Sequence, residues 1–94
     1  MYKSNINLNL YKTFYDVAKC GSISKAAQEN FTSQPAISKS IKKLEEELET
    51  TLFYRNLNGV ELTEKGKELL YFVEKSFNNL VLAERYLIEN ENLE

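Results

Sequence analysis

Between Gln34 and Leu52 the apolar residues fall on one side of a helix: Ile37, Ile41, Leu44, Leu48 and Leu52 recur at steps of four, three, four and four. The other side carries Ser38, Lys39, Lys42 and Lys43. Ser33 can cap this helix by accepting from the amide of Ala36, and Pro35 is tolerated in a first turn whose amides have no intrahelical partner. The spacing therefore predicts a helix that begins near Gln34. Upstream, Leu10, Phe14, Val17 and Ala18 share the stripe of a helix over about Asn7 to Lys19, which Gly21 stops. Either Ser22 or Ser24 can cap the short helix that follows, from about Ser24 to Asn30. In it, Ala26 and Ala27 let a neighbouring helix approach closely, and Phe31 is expected to supply the apolar anchor.

Downstream, Phe53-Tyr54-Arg55 and Val60-Glu61-Leu62 flank Asn58-Gly59, a strong hairpin signal, and predict a small two-stranded wing that leans on the helices. Thr63 is an N-cap candidate for a last helix, from Glu64 to about Asn90, interrupted by no proline and by no glycine beyond Gly66. At 1.5 Å per residue that is about 40 Å, more than so small a domain can cover. Leu69, Phe72, Val73, Phe77, Leu80, Ala83 and Leu87 lie near one seam, widened by Leu70, Val81 and Leu82. The distal half has nothing in its own chain to pack against, so this helix is expected to dimerise. The pattern is mainly α with a small β-hairpin. It divides into a domain over residues 1–63, a helix over 64–90 and a polar tail over 91–94, whose Leu93-Glu94 is also what an expression vector can leave behind.

Charge changes this picture. A helix arranged for its own stability has acids in its first turn and bases in its last, but here Lys39, Lys42 and Lys43 precede Glu45, Glu46, Glu47 and Glu49. The mismatch amounts to only about 0.3–1 kcal/mol per terminal charge, and it fits a helix whose N-terminal half faces phosphates. The net charge of −2 hides the same division along the chain. Residues 1–44 hold seven bases against two acids, and residues 45–94 hold five bases against twelve acids. A basic face and an acidic body can coexist, and the local field is what steers a polyanion.

Ninety-four residues with 43% hydrophobic content make one domain able to hold a single core. One cysteine and no histidine exclude a disulfide framework, a histidine-based metal site and any triad with an imidazole base. Cys20 reads as a small, half-buried core residue in a reducing compartment. No apolar run approaches a membrane span, and the N-terminus lacks the core of a signal peptide, so a cytoplasmic location is expected and no membrane contact.

Four linked motifs, Ser22-Ile23-Ser24-Lys25-Ala26-Ala27, Ser33-Gln34-Pro35-Ala36-Ile37-Ser38-Lys39-Ser40-Ile41-Lys42-Lys43-Leu44-Glu45, Leu52-Phe53-Tyr54-Arg55 and Leu62-Thr63-Glu64-Lys65-Gly66, carry a resemblance over about Leu8 to Phe77. In this order and spacing they resemble the N-terminal domain of LysR-type transcriptional regulators. The resemblance implies a winged helix-turn-helix followed by a long linker and dimerisation helix. It further implies a homodimer on pseudo-palindromic double-stranded DNA, with higher oligomers in full-length regulators. No cofactor is implied, and a small-molecule effector would act only through a further domain absent from this chain.

Carried over by position, the DNA-binding residues are Ser24, Thr32, Ser33, Gln34, Pro35, Ser38, Lys39, Lys42, Arg55 and Thr63. The dimerisation residues are Leu69, Phe72, Val73, Phe77, Leu80, Ala83 and Leu87. The chemistry agrees: Gln34 can pair bidentately with adenine, Pro35 and Ala36 can meet a thymine methyl, and Ser38 can serve a base edge or a phosphate. Lys39 and Lys42 suit phosphates, with Lys39 also able to reach guanine. Ser24 and neighbouring amides could hold a phosphate at a helix start, and Arg55 resembles a wing contact to the minor groove or a phosphate. Asn58 stands where many relatives have a second wing arginine, Thr50 where a glycine often precedes the wing, and Lys39 where arginine is usual. Specificity is therefore expected to rest on Gln34 and on DNA shape. A second class of function would use the long helix to bind another protein, with the helix-turn-helix as scaffold. Catalysis is the weakest reading, since no acid, base or nucleophile converges at a recognisable spacing.

Overall fold

In the computed structural model, which describes residues 5–92, four helices and one hairpin follow in the order α1 (Leu8–Cys20), α2 (Ile23–Glu29), α3 (Gln34–Leu48), β1 (Phe53–Asn56), β2 (Gly59–Leu62) and α4 (Glu64–Asn92). Local signals set most boundaries. Asn7 caps α1 by accepting from the Asn9 amide at 3.0 Å, and Gly21 closes it in the left-handed region at φ 71°. Of the two serines able to cap α2, Ser22 does so, its hydroxyl accepting from the Lys25 amide at 3.1 Å. Ser33 caps α3 through the Ala36 amide at 3.2 Å.

One core joins these elements. Phe14 and Val17 of α1, Ala26 and Ala27 of α2, Ile37, Ile41 and Leu44 of α3, and Leu52 and Phe53 before and within the hairpin are all buried. The Phe14 and Phe53 rings meet at 5.4 Å, which seats β1 on the first helix. The two alanines act as expected, since only a methyl group separates α2 from its neighbours. Phe31 does not. It is 97% exposed and its backbone sits at φ 53°, so the left-handed turn between α2 and α3 points the ring away from the interior instead of anchoring the pair.

The hairpin pairs Asn56 with Gly59, Arg55 with Val60, Tyr54 with Glu61 and Phe53 with Leu62, leaving Leu57-Asn58 as its tip. Gly59 supplies the positive φ, 136°, and lies against the α1–α2 turn, where the Val60 amide donates to the Gly21 carbonyl at 3.2 Å. At the end of α3 the left-handed residue is Glu49, φ 54°, and not the following Thr50. Gly66, the glycine inside α4, packs on the Leu52 carbonyl so closely that a side chain would overlap it.

The proximal part of α4 belongs to the core, which corrects part of the dimerisation seam. Val73 is buried, while Leu69 and Phe77 are half-buried against α1. Phe77 meets Tyr15 edge to face at 5.5 Å, and Lys19 pairs with Glu74 at 3.6 Å. These contacts turn the side chains at 69, 73 and 77 toward their own domain because α4 crosses α1 there. Beyond Phe77 the helix leaves the domain, and Leu80, Val81, Leu82, Tyr86, Leu87 and Ile88 are each at least half exposed. The helix runs through Glu91 and Asn92, two residues of the expected polar tail, and Leu93-Glu94 lie outside the described residues.

Candidate nucleic-acid interface

The buried side of α3 fixes what its other side presents. With Ile37, Ile41 and Leu44 sunk in the core, the run from Thr32 to Ala36 is exposed, as are Lys39, Lys42 and Lys43, and Ser38 is half-buried at the margin. Thus Thr32, Ser33, Gln34, Pro35, Lys39 and Lys42 share one open face around the capped start of the helix. No acid occupies the first turn and no base the last. The positive end of the helix dipole is therefore offset by no acid in its own first turn, and the lysines follow it one to two turns further on.

Among the described residues the ion pairs lie elsewhere. Lys12 pairs with Asp16 at 2.9 Å, Lys19 with Glu74, Lys65 with Glu68 and Lys67 with Glu64. Among the described residues, Lys39, Lys42, Lys43 and Arg55 have no carboxylate at such a distance. Surface pairs contribute about 0–1 kcal/mol each, so leaving these bases unpaired costs little stability, and it leaves their charge available to a polyanion.

The hairpin makes the second exposed part. Arg55 and Tyr54 are exposed on β1, and the tip residue Leu57 is fully exposed. A shallow groove between the wing and the start of α2 is lined by Ser22, Ile23, Ser24, Arg55 and Asn58, among others. Ser24 is exposed there, while the adjacent Lys25 amide is already taken by Ser22. Thr63 is the expected cap of α4, but its hydroxyl does not face the open groove. It is 5% exposed, donates its hydroxyl to the Thr51 carbonyl at 2.7 Å and accepts from the Gly66 amide at 3.0 Å. Both bonds hold the hydroxyl inside the fold, so Thr63 is a helix cap that ties α4 to the segment between α3 and the wing and offers nothing to a ligand.

Sequence reasoning missed Glu45. Its carboxylate reaches from α3 to the Leu52 and Phe53 amides at 2.7 and 3.3 Å and so sets the wing relative to α3. Its excess over the other glutamates was invisible in an acidic run, because all of them look solvated there. Cys20 is half-buried with its Sγ 3.5 Å from a Glu29 carboxylate oxygen. Burial first, then the hydrogen bond and charge of Glu29, raise the thiol above its ordinary pKa and away from the reactive thiolate.

Residues 8–67 match the model of the bacterial regulatory helix-turn-helix proteins of the lysR family. The chain is 35% identical over 88 residues to the HTH-type transcriptional regulator CzcR of Bacillus thuringiensis (strain Al Hakam), covering 94% of this chain and 30% of that protein. Among solved structures, it superposes on the BenM DNA-binding domain in complex with catB site 1 DNA at a TM-score of 0.83 and 27% identity, covering 89% of this chain and 93% of that one. The CbnR DNA-binding domain in its DNA complex gives 0.75 and 30%, over 92% of this chain and 95% of that one. No helix among the described residues is long and apolar enough to cross a membrane.

Proposed function

This chain belongs to the lysR family of bacterial regulatory helix-turn-helix proteins, and from that premise we propose that it binds double-stranded DNA sequence-specifically as a dimer and regulates transcription in the cytoplasm. One observation carries the reading: the exposed face of the N-terminal part of α3, with Gln34 and Pro35 at its start, Lys39 and Lys42 beyond and no acid before Glu45, lies opposite the buried Ile37, Ile41 and Leu44. The helix-turn-helix fold lets such a face enter the major groove with its first turn at the base edges. In the proposed roles, Gln34 pairs with a base, Pro35 meets a thymine methyl, Lys39 and Lys42 neutralise phosphates, and Ser33, Thr32 and Ser38 bond to the backbone or base edges. Ser24 and Arg55 flank the same duplex from the groove beside the wing.

Dimerisation is supported by the exposed side of α4. Phe72, Leu80 and Leu87 are exposed by 64, 53 and 66%, and Ala83 is exposed between them. This seam continues into an apolar groove lined by Ile6, Leu8, Tyr11, Leu69 and Phe72, among others. Two copies would cover it, placing two α3 helices on half-sites about 34 Å apart. The proposed division is residues 1–63 for DNA and 64–90 for pairing.

The test is selection of binding sites from random duplex DNA by the purified chain, followed by titration of the selected site at several salt concentrations. A pseudo-palindrome with two half-sites and an affinity that falls steeply with salt is expected. A selected pool without a motif, or affinity independent of salt, overturns the reading.

A further inference from the structure

The turn before α3 contains a phenylalanine that the fold does not use. Phe31 is 97% exposed, and its ring has no aromatic neighbour among the described residues. Its backbone is nonetheless fixed. The Phe31 amide donates to the Gln28 carbonyl at 3.3 Å, the Thr32 amide to the Ala27 carbonyl at 3.0 Å, and φ stands at 53°. Glycine or asparagine adopts this conformation at less cost than a bulky residue, so neither the turn nor the core accounts for a phenyl ring here. Position does. Phe31 precedes the cap Ser33 by two residues and Gln34 by three, and its exposure is continuous with that of Thr32 to Ala36.

We propose that Phe31 is a specificity residue that reads the C5-methyl group of one thymine in the major groove, beside the base met by Gln34. The inference rests on the DNA-binding reading above and extends it to a residue outside the helix. Thymine is the one base that presents a methyl group in that groove, and a phenyl ring is a side chain suited to covering it. The left-handed turn fixes the backbone that carries the ring, so only the two side-chain torsions are ordered when the contact forms.

The test uses the full chain and its Phe31→Asn variant, which keeps a side chain compatible with positive φ. Each thymine of the selected site is replaced in turn by deoxyuridine, which removes only the methyl group. At one position per half-site the parent should lose about fourfold in affinity, equivalent to about 0.8 kcal/mol for one buried methyl, and Phe31→Asn should show no such loss there. Methyl groups covered by Pro35 and Ala36 should matter equally to both proteins. The variant should melt no lower than the parent. If every methyl matters equally to both proteins, or if Phe31→Asn melts lower, Phe31 is a scaffold or partner contact and the assignment fails. If the parent binds this DNA and only the Phe31 pattern is missing, the DNA-binding reading survives; if the parent binds none, both fall.

Discussion

Glu45 on α3 and Leu52 before the hairpin are joined by a 2.7 Å hydrogen bond, in which the Leu52 amide donates to the Glu45 carboxylate; the same oxygen accepts from Phe53 at 3.3 Å. Two amides that no strand or helix satisfies are thus held by one side chain seven residues upstream. Glu45→Ala leaves both without a charged acceptor in a part-buried site, which costs about 1.5–3 kcal/mol. For a domain of this size the melting temperature should fall by about 6–24 °C. Glu45→Gln keeps an acceptor and should lose less. Hydrogen exchange at the Leu52 and Phe53 amides checks the mechanism: it should accelerate more in the alanine variant than exchange in the middle of α1.

The wing is docked by a glycine contact. A Cβ built on Gly59 would lie 2.5 Å from the Gly21 carbonyl oxygen, a backbone atom that cannot swing aside, and φ is 136°. Gly21 itself has φ 71° but open space where its Cβ would be. Gly59→Ala combines a clash with strain and should cost about 2–4 kcal/mol, whereas Gly21→Ala meets strain alone at about 1 kcal/mol. Urea denaturation of the two variants tests the order. Equal losses would mean that the wing does not rest on the α1–α2 turn.

Glu49 occupies the left-handed position that closes α3, at φ 54°. A non-glycine residue there carries about 1–2 kcal/mol of strain, and a carboxylate at a helix C-terminus adds an unfavourable dipole interaction of about 0.3–1 kcal/mol. The greater unfolded-state freedom of glycine offsets about 0.4–1 kcal/mol of this. Relief exceeds that loss, so Glu49→Gly should stabilise the domain by about 1 kcal/mol and raise the melting temperature by about 4–8 °C, measured by circular dichroism.

The helices were legible because their signals are periodic and local. Ile37, Ile41 and Leu44 could be assigned to the core by spacing, and Ser33 to the cap by residue type, and both stand in the structure. The open face of α3 followed from the same periodicity. What the sequence hid depended on positions set by other elements. Thr63 matched a motif, yet its hydroxyl is taken by the Thr51 carbonyl, twelve residues away in sequence. Val73 fitted the dimer seam by spacing, but α1 covers it. Phe31 was assigned inward on hydrophobicity alone, when the sign of its backbone φ decides where the ring points.

Base reading and phosphate neutralisation should separate experimentally. Lys42→Ala removes one proposed phosphate contact, so it should weaken binding to selected and unrelated duplexes alike and reduce the slope of log affinity against log salt by about 0.9. Gln34→Ala should leave that slope unchanged and relax preference at one base position, with a loss of about 1–3 kcal/mol on the selected site only. Fluorescence anisotropy at four salt concentrations on both duplexes distinguishes them. The reverse pattern would exchange the two roles.

Two residues on α4 distinguish folding from pairing. Val73 is 5% exposed in the core of its own domain, so Val73→Ala should cost about 2 kcal/mol whatever the protein concentration. Leu87 is 66% exposed beyond that core, and Leu87→Lys should leave the domain folded while placing a charge in the seam that two copies would share. Light scattering should then report a monomer. Its melting temperature should lose the concentration dependence expected of the parent dimer, because mass action no longer couples pairing to folding. Binding to a single half-site should persist in this variant. Binding to the full pseudo-palindrome should fall by about 10²-fold or more, since the second half-site contact is no longer intramolecular. A Leu87→Lys variant that remains dimeric at micromolar concentration would move the interface off the distal helix.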